Sequence, residues 1–254
     1  MASPFPEIPE TLYGLNKRLL FISEALAPLS DPSILDIGCG TGEFLTLPLA
    51  RKGWRITGLD IHPASVESAT VLAADLPRAK FVCATLDHVA NRFEAIILSE
   101  VIEHVSDPHM LLEKIRLKLK ENGVLILTLP NGYGPFEIDQ YLSKKNFLWI
   151  RSLYGWYVRR IREKDKAVAT HNEESPHINF YTWPAIQELI QLSGFRVVKY
   201  RARTFIAGDY ASVLLHALRV MRVPTEWLTR CNAAIADQLP PRLVSGWMFV
   251  CKAR

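Results

Sequence analysis

The chain has 254 residues, 49% of them apolar and 22% charged, which is ordinary globular usage, excludes wholesale disorder and suffices for a sizeable core. Thirty Lys and Arg against 26 Asp and Glu leave a net charge of +4, too small by itself to imply a nucleic-acid partner. No apolar run reaches the roughly 20 residues of a membrane span; the best candidate, 205–221, is interrupted by Asp209, His216 and Arg219.

The first ten residues hold three prolines and two acids with no basic lead into an apolar stretch, so a signal peptide is not expected. Apolar residues at 12, 15, 19, 22 and 26 predict a helix over 11–29, closed by Pro28 and the turn Ser30-Asp31-Pro32. A strand follows at 33–37, a helix at 42–52 closed by Gly53, a strand at 55–60, and a helix opened by Pro63. Strands are expected at 80–84 and 93–98. Asp107 caps a helix from Pro108 that Gly123 ends, before a fifth strand at 124–129. The pattern lapses for about forty residues after Pro130-Asn131-Gly132. It resumes with a helix at 183–193 capped by Thr182, a strand at 195–203, a helix at 210–222 and a last strand at 247–251. This alternation predicts one α/β domain over 1–254: a doubly wound, mostly parallel sheet with a leading helical segment (1–30), a ligand-binding core (31–131), a helical cap (132–176) and a C-terminal part (177–254). The four cysteines, Cys39, Cys83, Cys231 and Cys251, form no C-x-x-C pair. They argue against zinc or a disulfide framework and for a reduced, cytoplasmic setting, with attachment to a membrane surface left open.

Chemistry concentrates at the first turn. A buried strand carrying Asp36 runs into Gly38-Cys39-Gly40-Thr41-Gly42 and then a helix. Alternate glycines allow positive φ and close approach to a ligand, which an empty turn rarely needs. A dinucleotide fingerprint requires glycine where Glu43 stands, and a Walker loop requires Gly-Lys-Ser/Thr, which is absent. Asp36 suits a cationic amine better than a phosphate, and Asp60, ending the second strand, suits ribose hydroxyls. A nucleoside with a positive amino-acid tail fits better than a diphosphate.

With these residues in order, the sequence resembles the class I S-adenosylmethionine (SAM) methyltransferases. The stretches 34–44, 58–60, 95–105 and 121–131 carry the likeness, with a weaker echo at 178–195. The resemblance implies the Rossmann-like, seven-stranded class I methyltransferase fold and methyl transfer from SAM, with an oxygen acceptor favoured. It implies that Asp36, Gly38, Cys39, Gly40 and Gly42 cradle the methionine part, that Asp60 and Ile61 hold the ribose, and that Ser99 flanks the cavity. Thr85 and Leu86 would flank adenine. Many relatives have an acid at the Thr85 position, and Asp87 is near enough to replace it.

The segment Glu100-Val-Ile-Glu103-His104 supplies a second constellation. If Glu100 opens a helical turn, both carboxylates and the imidazole share a face. With His177 as a fourth ligand, Glu100, Glu103 and His104 would suit Mg²⁺ or Mn²⁺ better than Zn²⁺. The pattern is similar to metal-binding segments of ubiquinone-pathway O-methyltransferases and small-RNA 2′-O-methyltransferases. Equally, Glu100, His104 or His177 serves as a metal-free base facing the acceptor.

Residues 141–166 carry eight basic residues and two acids, a charge of +6, interleaved with six aromatics. The readings are a solvated helix face, a lid, or a surface meeting an anionic membrane, with nucleic acid ranked below these. Asn131, Tyr133 and Phe136, at the carboxyl edge after strand five, are candidate acceptor contacts. The acceptor is expected to be a small phenolic or lipid-linked molecule or an envelope glycan, with RNA or a non-catalytic SAM-binding role as the alternatives.

Overall fold

The computed structural model describes residues 5–144, 176–208 and 223–254, with 211, 212, 214, 215, 218 and 221 between them. In chain order its elements are α1 (Leu15–Leu26), β1 (Ser33–Ile37), α2 (Thr46–Arg51), β2 (Arg55–Asp60), α3 (Pro63–Leu72), β3 (Ala79–Cys83) and β4 (Phe93–Ser99). They continue with α4 (Pro108–Lys118), β5 (Leu119–Pro130), α5 (Pro135–Lys144), α6 (Trp183–Leu192), β6 (Phe195–Ala202), α7 (Glu226–Ala236) and β7 (Gly246–Ala253). The strands form one seven-stranded sheet in the order β3-β2-β1-β4-β5-β7-β6. All pairs from β3 to β5 are parallel, and β7 runs antiparallel between β5 and β6. This is the doubly wound, mostly parallel sheet that the alternation predicts.

The strands are apolar on both faces because both faces are covered. One core joins Ile34, Ile56, Ile97 and Ile126 to Leu19, Ile22 and Leu26 of α1 and Leu49 of α2. The other joins Leu35, Ile96, Leu98 and Leu127 to Leu112 and Ile115 of α4, Ile186 and Ile190 of α6, and Trp247. Alternate residues of one strand thus enter opposite cores. Burying each of Leu19, Ile22 and Leu26 contributes about 1.5–3 kcal/mol. That burial fixes the rotation of α1 against the sheet. The start of α1 is held from outside: the Glu10 carboxylate accepts from the N–H groups of Thr11 (3.0 Å), Asn16 (3.2 Å) and Lys17 (3.0 Å). An acid there meets the positive end of the helix.

Several local expectations hold. Asp107 Oδ1 accepts from Met110 N at 2.9 Å, Thr182 Oγ1 accepts from Ala185 N at 3.4 Å, and Pro63 occupies the first turn of α3. Three boundaries differ. α2 begins at Thr46 rather than residue 42, because Gly42 is left-handed (φ 74) and Leu45 is non-helical (φ −142, ψ −64). α4 ends at Lys118, so Gly123 does not terminate it. Instead β5 starts at Leu119 and bulges until Val124 pairs with Ala95, with Asn122 left-handed (φ 61). α7 carries no sequence expectation, and α5 lies within the stretch assigned to a helical cap, though the sequence does not predict its bounds. Of the helix expected at 210–222, residues 211, 212, 214, 215 and 218 are helical. Most of the cap at 132–176 and of the basic stretch at 141–166 lies outside the described residues. No helix among the described residues is long and apolar enough to cross a membrane.

Candidate active site

Strand order reverses between β1 and β4, and ligands of open α/β sheets bind at the carboxyl edge of such a switch point. A cavity of about 240 Å³ opens there, lined by Asp36, Gly38, Gly40, Asp60, Ser99 and His104, among others. Its floor is the glycine turn, with Gly38, Gly40 and Gly42 at φ 72, 55 and 74. A Cβ on Gly38 would lie 2.5 Å from Val101 Cγ2, and one on Gly42 2.8 Å from Phe81 Cζ. At Gly40 nothing stands within 4 Å. Gly38 and Gly42 therefore pack the turn onto the sheet, and Gly40 leaves space for a ligand. Asp60 ties the two loops together: Oδ2 accepts from Gly40 N (2.8 Å) and Oδ1 from His62 N (3.0 Å).

Asp36 is buried and accepts from Thr46 Oγ1 at 2.5 Å. Burial pushes its carboxyl up to about 7, against the Thr46 bond and the Arg18 charge, with Asp60 adding to the rise. Beside it stands Arg18 of α1, which also lines the cavity. Its Nη1 is 3.9 Å from Glu100 Oε1, and its buried Nε has no hydrogen-bond partner among the described residues. A carboxyl and a guanidinium facing one cavity match an ammonium and a carboxylate, the two ends of a free amino acid. Sequence reasoning missed Arg18. The available signal was a cation on the apolar stripe, three residues after Leu15 and four before Ile22.

The other end of the cavity is more open. Ile61, 64% exposed, lines it, as do Cys39 and Ser99. Thr85 and Leu86 are not among the lining residues. Leu86 is buried in the core, and Thr85 Oγ1 meets His88 Nδ1 at 2.9 Å. Asp87 is paired with Lys114 Nζ at 2.8 Å, a bond that holds its carboxyl below the usual range. Like Thr85 and Leu86, it is not among the residues that line the cavity.

The Glu100-to-His104 segment folds differently from the helical turn expected. Glu100 is left-handed (φ 56), and only Ile102–His104 form a short 3₁₀ turn. Glu100 therefore does not share a face with Glu103 and His104. Its carboxylate accepts from Thr128 Oγ1 (2.9 Å) and from Arg203 Nη1, with Arg18 beyond. Burial would raise the Glu100 carboxyl, but Arg203 and Arg18 outweigh it and hold it below the usual range. Glu103 goes the other way: burial first and the Glu100 charge second push its carboxyl well up. Its Oε2 has no hydrogen-bond partner among the described residues.

His104 and His177 meet with ring centroids 4.9 Å apart. His104 Nδ1 lies 3.1 Å from the Pro176 carbonyl oxygen, and His177 Nδ1 lies 2.8 Å from Glu137 Oε1. Both partners accept, so each ring donates from Nδ1 and turns Nε2 away from that partner. Burial and the neighbouring His177 push His104 below its ordinary value, which keeps it neutral at pH 7. One ligand atom each from Glu103, His104 and His177 lies within 4.8 Å of the others. Glu100 is not in that set. The turn is held from below, where Asn179 Nδ2 donates to Ile102 O (3.2 Å) and Val105 O (2.7 Å).

Of the three expected acceptor contacts, Asn131 is buried and committed elsewhere. Its Nδ2 donates to Arg242 O (3.1 Å) and Val244 O (2.9 Å), and its Oδ1 accepts from Tyr133 N (3.2 Å). It shapes the turn before α5 rather than facing an acceptor. Phe136 lies 6.1 Å from the His177 ring and 6.1 Å from Tyr13, and Phe180 lies 6.3 Å from His177. Tyr133 is 65% exposed on the same turn.

A family model described as a methyltransferase domain matches residues 11–200, three quarters of the chain, from α1 through most of β6. The chain belongs to the methyltransferase-domain family. A ubiquinone biosynthesis O-methyltransferase of Histophilus somni is 31% identical over 130 residues, covering 47% of this chain and 54% of that protein. One from Parvibaculum lavamentivorans is 32% identical over 169 residues, covering 64% and 61%. The chain thus matches between half and two thirds of the length of these relatives. A Burkholderia thailandensis 1,6-didemethyltoxoflavin N1-methyltransferase, solved with its substrate and S-adenosylhomocysteine, has the same fold at a TM-score of 0.54 and 14% identity. That alignment covers 94% of this chain and 78% of the other. The glycine turn, Asp36 and Asp60 line the cavity at the carboxyl edge of the sheet. The cavity, its uncrowded Gly40 floor and the unpartnered Arg18 Nε fit SAM.

Proposed function

We propose that this methyltransferase transfers methyl from SAM to a phenolic hydroxyl oxygen of an aromatic, largely apolar acceptor. The observation that carries the reading is the His104–His177 pair. His104 lines the cofactor cavity and touches His177, which is bordered by Phe136 and Phe180. A neutral imidazole with a lone pair beside aromatic rings suits a phenol, whose ring stacks while its hydroxyl is deprotonated. The relatives named as O-methyltransferases act in the same direction.

Asp36 and Arg18 would hold the amino-acid end of SAM, and Asp60 the ribose. When bound, SAM supplies a methyl group already activated by its sulfonium. The work left to the chain is alignment and proton removal. Phe136 and Phe180 orient the acceptor ring, and one of the two Nε2 nitrogens takes the hydroxyl proton as the oxygen–methyl bond forms.

A second reading adds a metal. Glu103, His104 and His177 form one carboxylate and two imidazoles, with Glu103 Oε2 unpartnered and both Nδ1 atoms against acceptors, as metal-binding histidines have. Without Glu100 this set is nitrogen-rich, which moves the preference from Mg²⁺ toward Mn²⁺ or Zn²⁺.

The test is methyl transfer from labelled SAM to catechol, 3,4-dihydroxybenzoate, a long-chain alkyl catechol, a methyl glycoside and a short RNA, each with and without chelator. Label in the phenols as an alkali-stable ether is expected. Label only in RNA or sugar would overturn the phenolic reading. Tight S-adenosylhomocysteine binding with no transfer to any acceptor would favour a non-catalytic role. Full turnover in chelator would remove the metal.

A further inference from the structure

We propose that Glu137 is a positioning residue that fixes the tautomer and orientation of His177, so that Nε2 faces the acceptor. The inference rests on the proposed phenolic reaction only for its consequence in turnover.

Glu137 lies in the first turn of α5 and its side chain is 14% exposed; that of His177 is 25% exposed. Their contact joins Oε1 to Nδ1 at 2.8 Å. A carboxylate so far out of water, beside Phe136, needs a hydrogen-bond partner, and in such surroundings the bond it makes is strong. Both ends are held independently. Gly132 N donates to Tyr181 O at 3.0 Å, which fixes the turn before α5 to the stretch after His177. A Cβ on Gly132 would lie 2.6 Å from Tyr181 N, so these two backbones are in direct contact. On the other side, Ile178 N and Asn179 N donate to Glu103 O at 2.9 and 3.0 Å, which fixes His177 beside the 3₁₀ turn. Neither residue can follow the other if their bond is lost.

The choice of nitrogen gives the contact its meaning. Any carboxylate docking α5 onto the sheet edge could meet either ring atom. Here Nδ1 meets the carboxylate, which turns Nε2 the other way, and a ligand atom of His177 lies within 4.8 Å of those of Glu103 and His104. His104 is arranged in the same way by a backbone carbonyl. Backbone fixes one imidazole of the pair, and the Glu137 side chain fixes the other.

Long-range proton–nitrogen correlation on ¹⁵N-histidine-labelled protein, with His177→Gln for assignment, reads the tautomer without an acceptor. The wild type is expected to show a protonated Nδ1 and a bare Nε2 at His177. Glu137→Ala should lose that pattern and lower kcat for catechol about 10- to 100-fold, with the KM for SAM within about twofold. Glu137→Gln keeps an acceptor oxygen and should restore both the pattern and most of kcat, a rescue that mere docking of α5 would not require. A wild-type His177 protonated on Nε2 would overturn the proposal, as would an unchanged nitrogen pattern in Glu137→Ala. If the wild type methylates no phenol, the proposed reaction falls, and the nitrogen pattern still decides the role of Glu137.

Discussion

Arg203 and Glu100 meet as an ion pair at the carboxyl edge of the sheet, joining the end of β6 to the residue that follows β4. Arg203 is only 3% exposed, and Thr128 and Arg18 complete the network around Glu100. Of the two, Glu100 lines the cavity, and its backbone is left-handed (φ 56).

Removing one partner leaves the other charge uncompensated. Arg203→Met should therefore destabilise the chain by about 3–5 kcal/mol, and the double variant with Glu100→Gln by less than the sum of the two single losses. Urea unfolding of the four proteins measures this. Additive losses would show that the two residues are not coupled.

Arg18 is assigned to the carboxylate of the SAM amino-acid end. Arg18→Gln should weaken S-adenosylhomocysteine binding by about 1.5–3 kcal/mol, the range for a hydrogen bond to a charged group. It should leave 5′-methylthioadenosine, which lacks that end, bound as in the wild type. Calorimetric titration with both ligands separates the outcomes; equal loss for the two would place Arg18 in the scaffold alone.

Asp36 ties binding and stability to pH. Its folded carboxyl, at about 7, lies above its unfolded value of 3.8. Between these values the folded chain holds a proton that the unfolded chain has released, so this group's contribution to stability falls as pH rises through the window. An ammonium in the cavity favours the ionised form. Affinity for S-adenosylhomocysteine should then rise with pH from 6 toward 8, approaching about tenfold per unit on the acid side. Asp36→Asn should bind more weakly with a flat profile and remove the matching slope in thermal stability. A pH profile unchanged by Asp36→Asn would assign the linkage to another group.

The glycines of the turn should not respond alike. Gly38→Ala meets both a left-handed backbone and a Cβ 2.5 Å from Val101 Cγ2. It should lower the melting temperature and abolish S-adenosylhomocysteine binding together. Gly40→Ala meets the strained φ but open space, costing about 1–2 kcal/mol of backbone energy. Thermal unfolding and calorimetry on both variants would show whether that ranking holds.

Much of this was legible in the linear chain. Short apolar runs and helical apolar spacing located the strands and most helices, because strands buried on both faces read as near-continuous apolar runs. Positive φ at Gly38, Gly40 and Gly42, with Asp36 and Asp60 at the strand ends, is a local requirement that sequence spacing records directly. The bounds of α5 within the expected helical cap were not legible, because its residues show no clear apolar alternation. α7 was missed, its sequence being mostly small and polar residues around a single Trp227.

What the chain by itself determined, then, is the sheet, its switch point and the cofactor cradle, since each depends on residues close in sequence. Tertiary structure decided what the ionisable groups do. Glu100, four residues before His104, has a left-handed backbone and is held by Arg203, 103 residues distant. His177 and Glu137 meet across 40 residues, and Arg18 reaches the cavity only because α1 packs on the sheet. Charge acts through space and follows the folded distances, whereas turn chemistry follows the chain.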